Sequence, residues 1–437
     1  MSSGARSPRL RLLWSDLLGL DRGKYLYGRK AEEGQASFAV TTFATTLHRS
    51  ILPIRGLAYD VGLADMQARC DPSTLREGWE ENTRVGVADL FRDGERLAID
   101  PRHVLREACR PWIERGLWPQ LAFELEFYLL RPCDDGHWLP LDAPGSRVYG
   151  TGTAVDPERI LDDILASAAG CAFPLEGWSS EFDDSQFELN LEHGEAVATA
   201  DDAFLLRVLV RERAAERGHR VTFLGKPFPD RAGSGLHVNL SFRTASGENA
   251  LVDSSAPDGL ADLARHCVAG MLAHHEALAA LCAPTVNAYR RLQPDMMNGY
   301  WGNWGYDDRT VAVRISADRG PSTRLEHRTP DGAASPYLVA AALLHAARFG
   351  VEGQWGPPPP QPVGESPSAS RRAPDSLAQA LEALGADQAL GNALGRSLVG
   401  TFTAMKRAEW ERYLASVPEP ARQRLSEWEL AYYGPFF

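Results

Sequence analysis

Four short segments of this 437-residue chain alternate apolar and polar residues, and this pattern restricts the fold more than any other feature. Side chains along a strand point to opposite faces with a period of two, so each segment predicts a strand with one apolar face and one polar face. The four segments are LAFELEFYLL (121–130), SQFELNL (185–191), LHVNLSF (236–242) and TRLEHR (323–328).

The polar faces of these strands carry mostly glutamate, together with one histidine and flanking arginines. Each strand alone could simply expose a polar face to water, but two glutamates two positions apart repel each other unless a positive charge lies between them. Clustered carboxylates suit Mg²⁺ or Mn²⁺ better than structural zinc, which prefers cysteine and histidine. The sequence therefore predicts two oxygen-rich metal sites. The candidate ligands are Glu124, Glu126, Glu181, Glu188, His237 and Glu326.

A second set of residues is rich in arginine. Guanidinium groups bind carboxylates and phosphates bidentately. Scattered surface arginines are the alternative, but arginines beside a carboxylate–metal cluster favour phosphoryl transfer. The glycine segment AGSGLH (232–237) allows close backbone approach to a ligand, although it lacks the spacing of a Rossmann or P-loop motif. The arginines are Arg291, Arg309, Arg314, Arg324 and Arg328.

Composition excludes several classes of protein. The formal net charge of −12 argues against a nucleic-acid or membrane-surface partner. No apolar run is long enough to cross a membrane, no signal peptide is evident, and the six cysteines are widely spaced, so we expect a cytoplasmic protein with reduced thiols.

The local pattern changes near residue 100, where we place a domain boundary. Before it, FAVTTF, GLAYDV and VGVADLF predict strands, and the turn residues at 92–94 predict a hairpin. Pro101 opens a helix, and strands then alternate with long helices. The predicted helices span 156–169, 200–217, 256–282, 336–349, 374–397 and 400–415.

Several longer motifs, in the right order, resemble those of the glutamine synthetase family. They include AFELEFYLL (122–130), EFDDSQFELNL (181–191), VTFLGKPFPDRAGSGLHVNLSF (221–242), PTVNAYRRLQP (284–294) and STRLEHRTPDGAASPYLVAAALL (322–344). The resemblance implies an α+β fold: a small N-terminal β-grasp domain (1–100) and a larger catalytic α/β domain (101–437) with a curved antiparallel sheet. It also implies a ring-shaped homo-oligomer, a hexamer or a dodecamer.

The resemblance also assigns roles to residues. It implies ATP and two Mg²⁺ or Mn²⁺ ions per active site, one ion held by Glu126, Glu181 and Glu188 and the other by Glu124, His237 and Glu326. It further implies that Arg291, Arg328 and Gly233 bind glutamate and that Ser241, Arg314 and Arg324 bind the nucleotide. Arg309 would contact the transferred phosphate, and Arg309 and Arg291 would be the catalytic residues.

The chain departs from the family pattern where ammonia would be used. Met297 stands where ammonia-using members carry a glutamate, no DGSS-like segment is found, and Asp60 is the nearest acid to that region. Ala232 replaces the usual asparagine of the glycine loop, and Asn239 replaces a common histidine.

The loop Asp295–Tyr306 offers Met297 and Trp301, an apolar and aromatic surface that favours an organic amine, unless the loop merely packs in a subunit interface. Few acidic residues are near to meet a second ammonium group, which favours a monoamine. We therefore predict an ATP-dependent ligase that joins L-glutamate to a primary amine through γ-glutamyl phosphate. The alternatives are an ammonia-using glutamine synthetase, a ligase for another acid and a non-catalytic relative, although the last should have lost metal ligands.

Overall fold

A computed structural model describes residues 9–133, 138–141 and 143–437. Its strands form two sheets. The first contains β1 Arg9–Ser15, β2 Asp21–Leu26, β3 Gln35–Ala39, β4 Asp65–Cys70, β5 Arg76–Glu77, β6 Thr83–Arg92 and β7 Glu95–Arg96. The second contains β8 Leu117–Pro132, β9 Trp138–Pro140, β10 Leu175–Ser180, β11 Gln186–Leu191, β12 Gly194–Glu195, β13 Arg220–Thr222, β14 Leu236–Thr244, β15 Trp304–Tyr306, β16 Val313–Ile315 and β17 Leu325–His327.

The described residues form twelve helices. They are α1 Arg29–Glu33, α2 Pro101–Ile113, α3 Ile160–Gly170, α4 Ala196–Glu216, α5 Asp262–Ala273, α6 His275–Cys282, α7 Ala288–Arg291, α8 Pro336–Glu352, α9 Leu377–Ala386, α10 Gln388–Leu394, α11 Arg396–Ser416 and α12 Glu427–Tyr433. None of the helices that the structure describes is both long and apolar enough to cross a membrane.

The first sheet has the order β2-β1-β6-β4-β3, with a parallel β1–β6 pair at its centre and antiparallel neighbours. This arrangement agrees with the predicted β-grasp domain. VGVADLF lies within β6, and the predicted hairpin joins β6 to β7 through left-handed Asp93 and Gly94. Two strand predictions fail: FAVTTF becomes a 3-10 turn after Ala39, and GLAYDV forms a 3-10 turn that left-handed Gly62 ends.

The second sheet carries the four alternating segments on its inner strands, in the order β10-β11-β8-β14-β17-β16-β15. It is antiparallel except for the parallel pair β15–β16. On β8 the apolar side chains Phe123, Leu125 and Phe127 are almost fully buried, and helices α2 and α4 pack against the strand. The ring of Trp112 on α2 lies 4.2 Å from that of Phe242 on β14. The predicted α+β fold is confirmed, whereas the division at residue 100 stays a prediction.

Two predicted helices are each broken in two. The segment 256–282 forms α5 and α6 with a break at His274, and 374–397 forms α9 and α10 with a break at Asp387. The two break residues contact each other through His274 Nδ1 and the Asp387 carboxylate, which also accepts a hydrogen bond from Leu390 N at 3.0 Å. This capping interaction replaces the helical hydrogen bonds that a continuous helix would make. The other predicted helices are present with shifted ends, and α12 was not predicted.

Candidate active site

The register of the second sheet brings the predicted metal ligands together on its polar face. Glu126 on β8 lies opposite Glu188 on β11, and Glu124 lies opposite His237 on β14. Glu326 on β17 lies opposite Asn239 on β14. Because β8 is paired on both sides, side chains from four consecutive strands converge on one patch, which we call the acidic patch.

The carboxylates form two groups that share His237. In one group, donor atoms of Glu124, His237 and Glu326 lie within 4.8 Å of one another; in the other, so do those of Glu126, Glu188 and His237. His237 Nδ1 is 3.1 Å from Glu124 and 4.0 Å from Glu326, and its Nε2 is 3.6 Å from Glu126. The second predicted trio therefore forms a group as expected. Glu181 belongs to neither group, although the negative charge of Glu126 acts on it.

The electrostatics of this patch fit a cation. Burial, together with the negative charges of Glu124, Glu126 and Glu181, raises the pKa of Glu188 to about 10. Burial and the charge of Glu126 also raise the pKa of Glu181. Burial alone would raise the pKa of Glu124, but hydrogen bonds with His237 and Asn239 lower it to about 2. Buried carboxylates that repel one another and offer oxygen donors match the preferences of Mg²⁺ or Mn²⁺.

Three predicted arginines surround the same patch. Arg314 forms an ion pair with Glu326 at 2.7 Å and also contacts Asp307. Arg328 pairs with the other oxygen of Glu326 and donates to the carbonyl of Arg309 at 3.1 Å. The exposed side chain of Arg309 acts electrostatically on Glu181. Positive charge therefore lies beside the carboxylate groups, where a phosphate could bind.

Arg290 and Arg291 are neighbours in α7 but have different partners. Arg290 donates to Glu429 of α12 at 3.1 Å, and this carboxylate is fully buried. Arg291 is 5% exposed and donates to two backbone carbonyls, those of Thr329 at 2.9 Å and Arg328 at 3.1 Å. Within residues 9–133, 138–141 and 143–437, no carboxylate forms an ion pair with Arg291. A buried guanidinium without an anionic partner is suited to binding a substrate carboxylate.

The glycine loop packs directly against Arg291. A side-chain Cβ at Gly233 would come within 2.8 Å of the Arg291 side chain. At Gly235 it would lie 2.7 Å both from Arg291 Nη2 and from His237 Nε2. The loop is held by Asp183, which accepts a hydrogen bond from Ala232 N, and by Tyr128, which donates to the Ala232 carbonyl at 3.0 Å. Glycine at 233 and 235 therefore allows Arg291 to lie close to His237 and the carboxylates around it.

Strand β14 extends from the acidic patch to a cleft. His237, Asn239 and Ser241 alternate along the same face of the strand, and Asn239 donates to Glu124 at 2.9 Å while accepting from Arg324 at 3.1 Å. Ser241 lines a cleft of about 590 Å³ together with Gln120, His193, Arg243 and Asn249. Ser241 is four positions after His237 on this strand, which places the two residues about 13 Å apart. This spacing leaves room for an extended triphosphate between the patch and the cleft.

The loop 295–306 divides into an exposed part and a packed part. Met297 is 57% exposed and Met296 is 49% exposed, and the Met297 carbonyl accepts from Arg328 Nη2 at 3.5 Å. Tyr300 is buried and packs edge-to-face on the half-buried Trp301, with ring centres 5.0 Å apart. Trp304, in β15, is buried, and its indole donates to Pro358 O at 2.7 Å. Met297 and Trp301 are thus accessible, whereas Tyr300 and Trp304 serve packing.

Some residues of the site were not singled out from the sequence. Asp331 is fully buried beside the glycine loop, and Glu429 neutralises Arg290 from a distant helix. The only sequence signal for Asp331 is its place in the motif RTPDG (328–332). Asp60, the nearest acid in the N-terminal region, is engaged in its own turn, where it accepts hydrogen bonds from Gly56 N at 2.7 Å and Ala58 N at 3.3 Å.

Comparison with known proteins agrees with this geometry. Residues 98–433 match the model of the glutamine synthetase catalytic domain. The chain is 34% identical over 359 residues to gamma-glutamylputrescine synthetase PuuA of Escherichia coli K12, covering 78% of this chain and 75% of PuuA. It is 30% identical over 448 residues to glutamine synthetase of Pyrococcus abyssi, covering 99% and 98% of the two chains.

A similar solved structure is apo GmaS without ligand. It superposes with a TM-score of 0.81 at 30% identity, over 97% of this chain and 96% of that chain. Both the sequence match to the catalytic domain and the superposition extend over the sheet that carries the acidic patch. The chain belongs to the glutamine synthetase family.

Proposed function

We propose that this protein is an ATP-dependent ligase that joins the γ-carboxylate of L-glutamate to an organic primary amine. The observation that carries the proposal is an exposed methionine, Met297, beside Arg328, in a site that keeps its acidic patch and its arginines. Similarity to PuuA supports an amine as acceptor, since that protein is named for a γ-glutamyl amide of putrescine.

The chemistry follows from the poor reactivity of a carboxylate, whose leaving group would be oxide. Transfer of the terminal phosphoryl group of ATP to the γ-carboxylate gives γ-glutamyl phosphate and ADP. The amine then attacks the acyl carbon, loses a proton and displaces inorganic phosphate. When bound, divalent cations supply charge stabilisation for the phosphates, and the residues that would hold them are Glu124, Glu126, Glu188, His237 and Glu326, with Glu181 beside them.

The residues of the chain contribute binding and orientation. Arg291, buried and without an ion-pair partner among the described residues, binds a donor carboxylate, and Arg328 binds beside it. We assign Arg309, whose positive charge acts on Glu181, to the transferred phosphate. We assign to the nucleotide Ser241, which lines the cleft, Arg324, which donates to Asn239, and Arg314, which pairs with Glu326.

The acceptor is proposed to be a monoamine with an apolar or aromatic group. Met297, whose carbonyl accepts from Arg328, and its neighbours Met296 and Trp301 in the loop offer polarizable and aromatic surface. An ammonium ion would need negative charge at this position, and Met297 supplies none. We also propose that the enzyme works as a ring-shaped homo-oligomer, which mass photometry would test by its particle mass.

The proposal is tested by ATP-dependent phosphate release with L-glutamate and a panel of monoamines, polyamines and ammonium. We expect a monoamine to give the highest kcat/KM, and ammonium as the best acceptor would refute the proposal. Met297→Glu should shift preference towards ammonium, whereas Met296→Glu places the same charge one residue away and serves as the matched control. Equal shifts in both variants would show a nonspecific charge effect and contradict the role of Met297.

Ammonia-dependent glutamine synthesis is the second candidate function. The Pyrococcus abyssi enzyme, named glutamine synthetase, aligns over 98% of its length. The engagement of Asp60 in its own turn and the methionine at 297 count against this candidate. If the enzyme uses another acid in place of L-glutamate, the same assay with a panel of dicarboxylic and amino acids will identify that acid. A non-catalytic role would require that none of these acids supports ADP release.

A further inference from the structure

The polar face shared by β8 and β11 extends beyond the acidic patch by one more pair of residues. Glu126 on β8 lies opposite Glu188 on β11. Two positions away along each strand, and therefore on the same face, Tyr128 lies opposite Gln186. Both side chains are buried, and the proposed mechanism gives neither of them a role. We call these two residues the Tyr128–Gln186 pair.

Both members of this pair form hydrogen bonds with the backbone of the glycine loop. Gln186 Nε2 donates to Gly233 O at 2.9 Å, and the Tyr128 hydroxyl donates to Ala232 O at 3.0 Å. Asp183, in the turn before β11, accepts a hydrogen bond from Ala232 N and lies 3.1 Å from the Tyr128 hydroxyl. Three polar backbone atoms of two neighbouring loop residues are therefore held by side chains of the sheet and its turn.

The amide oxygen of Gln186 shows that packing alone does not account for this residue. Its Oε1 is buried and has no hydrogen-bond partner in the part of the chain that the structure describes. A buried acceptor without a partner is costly, and a methionine would fill a similar space without that cost. The hydrogen bond from Nε2 to Gly233 O is the interaction that offsets the cost. The contact with the glycine loop therefore explains a glutamine at this position.

The same loop packs against Arg291. A Cβ at Gly233 would lie 2.8 Å from Arg291 Cγ, and a Cβ at Gly235 would lie 2.7 Å from Arg291 Nη2. Two backbone carbonyls already fix the guanidinium, so the loop is the neighbouring wall that can still shift. At its other end the loop has an anchor of its own, because Gly235 N donates to Glu126 at 2.6 Å. Releasing residues 232 and 233 would thus change the space beside Arg291 and leave the contact with Glu126 in place.

We propose that the Tyr128–Gln186 pair positions the donor acid indirectly, by holding the glycine loop as a fixed wall beside Arg291. Ala232 contributes only a methyl group, so the loop at this point depends on the partners of its backbone. This inference rests on the proposed function, because it requires a donor acid bound at Arg291. It does not depend on which amine is the acceptor.

Two variants each remove one of the hydrogen bonds. Gln186→Met keeps the length of the side chain without the amide, and Tyr128→Phe removes only the hydroxyl. In each variant we expect the KM for the donor acid to rise about fivefold, the factor that corresponds to the loss of one neutral hydrogen bond. The KM for ATP and the affinity for Mn²⁺, measured by isothermal titration, should change less than about twofold, because Gly235 still donates to Glu126.

Gln67→Met is the matched control for the glutamine variant. The Gln67 amide also donates one hydrogen bond, to Ser37 Oγ at 2.7 Å, but it lies on β4 in the first sheet. This variant should keep the wild-type KM for the donor acid.

An unchanged donor KM in either Gln186→Met or Tyr128→Phe would overturn the inference. Equal rises in the KM values for donor and ATP, or a loss of Mn²⁺ affinity that accompanies the rise in donor KM, would also overturn it, since both indicate general damage to the site. If Gln186→Met does not fold, Tyr128→Phe is judged by the same ratio of KM values. The wild type alone tests the proposed function: no ADP release with L-glutamate refutes that function, and the variants are then compared with the acid that does support turnover.

Discussion

Replacing Gly235 with alanine tests how closely Arg291 and the proposed metal ligand His237 are packed. The new Cβ would lie 2.7 Å from both Arg291 Nη2 and His237 Nε2. Ordinary van der Waals contact begins near 3.4 Å, so each group must withdraw by about 0.7 Å. Metal ligands keep their distances within about 0.2 Å, so His237 could not serve a cation in its present position.

The expected magnitude follows from this displacement. Moving an orienting ligand typically weakens metal binding by about 10- to 100-fold, and we expect Mn²⁺ affinity to fall within that range. Overpacking should also lower the free energy of unfolding by about 1–3 kcal/mol. Isothermal titration with Mn²⁺ measures the first effect, and thermal unfolding measures the second.

Gly170→Ala is the control for this experiment. Gly170 ends α3, has no left-handed backbone conformation, and a Cβ there would meet no atom within 4 Å. This variant should keep the wild-type Mn²⁺ affinity. The packing argument is refuted if Gly235→Ala folds and binds Mn²⁺ as tightly as the wild type does.

Three further predictions concern charge. The pKa of Glu188 is raised to about 10, and metal binding requires this carboxylate to be ionised, so Mn²⁺ binding at pH 7.5 should release about one proton and should tighten as pH rises. Calorimetric titrations in buffers of different ionisation enthalpy measure the number of protons released. Glu188→Gln should abolish this proton release. Burial lowers the pKa of His345 to about 4, so the folded protein favours the neutral imidazole. Its contribution to the free energy of unfolding, about 3 kcal/mol, is complete above pH 6.5 and is lost as pH falls to 4. His345→Phe should therefore flatten the acid side of a plot of Tm against pH. Arg102 pairs with buried Asp201 at 2.8 Å, so Arg102→Met should lower the free energy of unfolding by about 3–5 kcal/mol. Arg110→Met, at an exposed position on the same helix, should change the urea midpoint little.

The sequence predicted the parts of the fold that depend on local periodicity. The period-two faces of β8, β11 and β14 placed Glu124, Glu188 and His237 on one side, because one buried face fixes the direction of every second side chain. The helix breaks at His274 and Asp387 could not be predicted. They depend on a contact between residues 113 positions apart, which no local window contains.

The candidate site shows the same limit. Arginine content indicated an anion site, but Arg290 and Arg291 are identical in sequence terms and differ only in their partners. Glu429 occupies Arg290 and leaves Arg291 free of ion pairs among the described residues. Asp331 escaped prediction because nothing in its neighbours along the chain shows that it will pack against Gly225 and pair with Gly235. Partner choice between distant residues is decided by tertiary packing.

The contact between Arg290 and Glu429 has a consequence for the order in which the site is made. Glu429 lies 139 residues after Arg290, in the last helix of the fold. During synthesis the acidic patch can assemble as soon as β17 has left the ribosome, since all its strands precede that point. Arg290 then has no carboxylate partner until α12 emerges, whereas Arg291 forms no ion pair among the described residues even in the complete fold. The helix that carries both arginines is therefore held by α12 only after all strands of the acidic patch have been made.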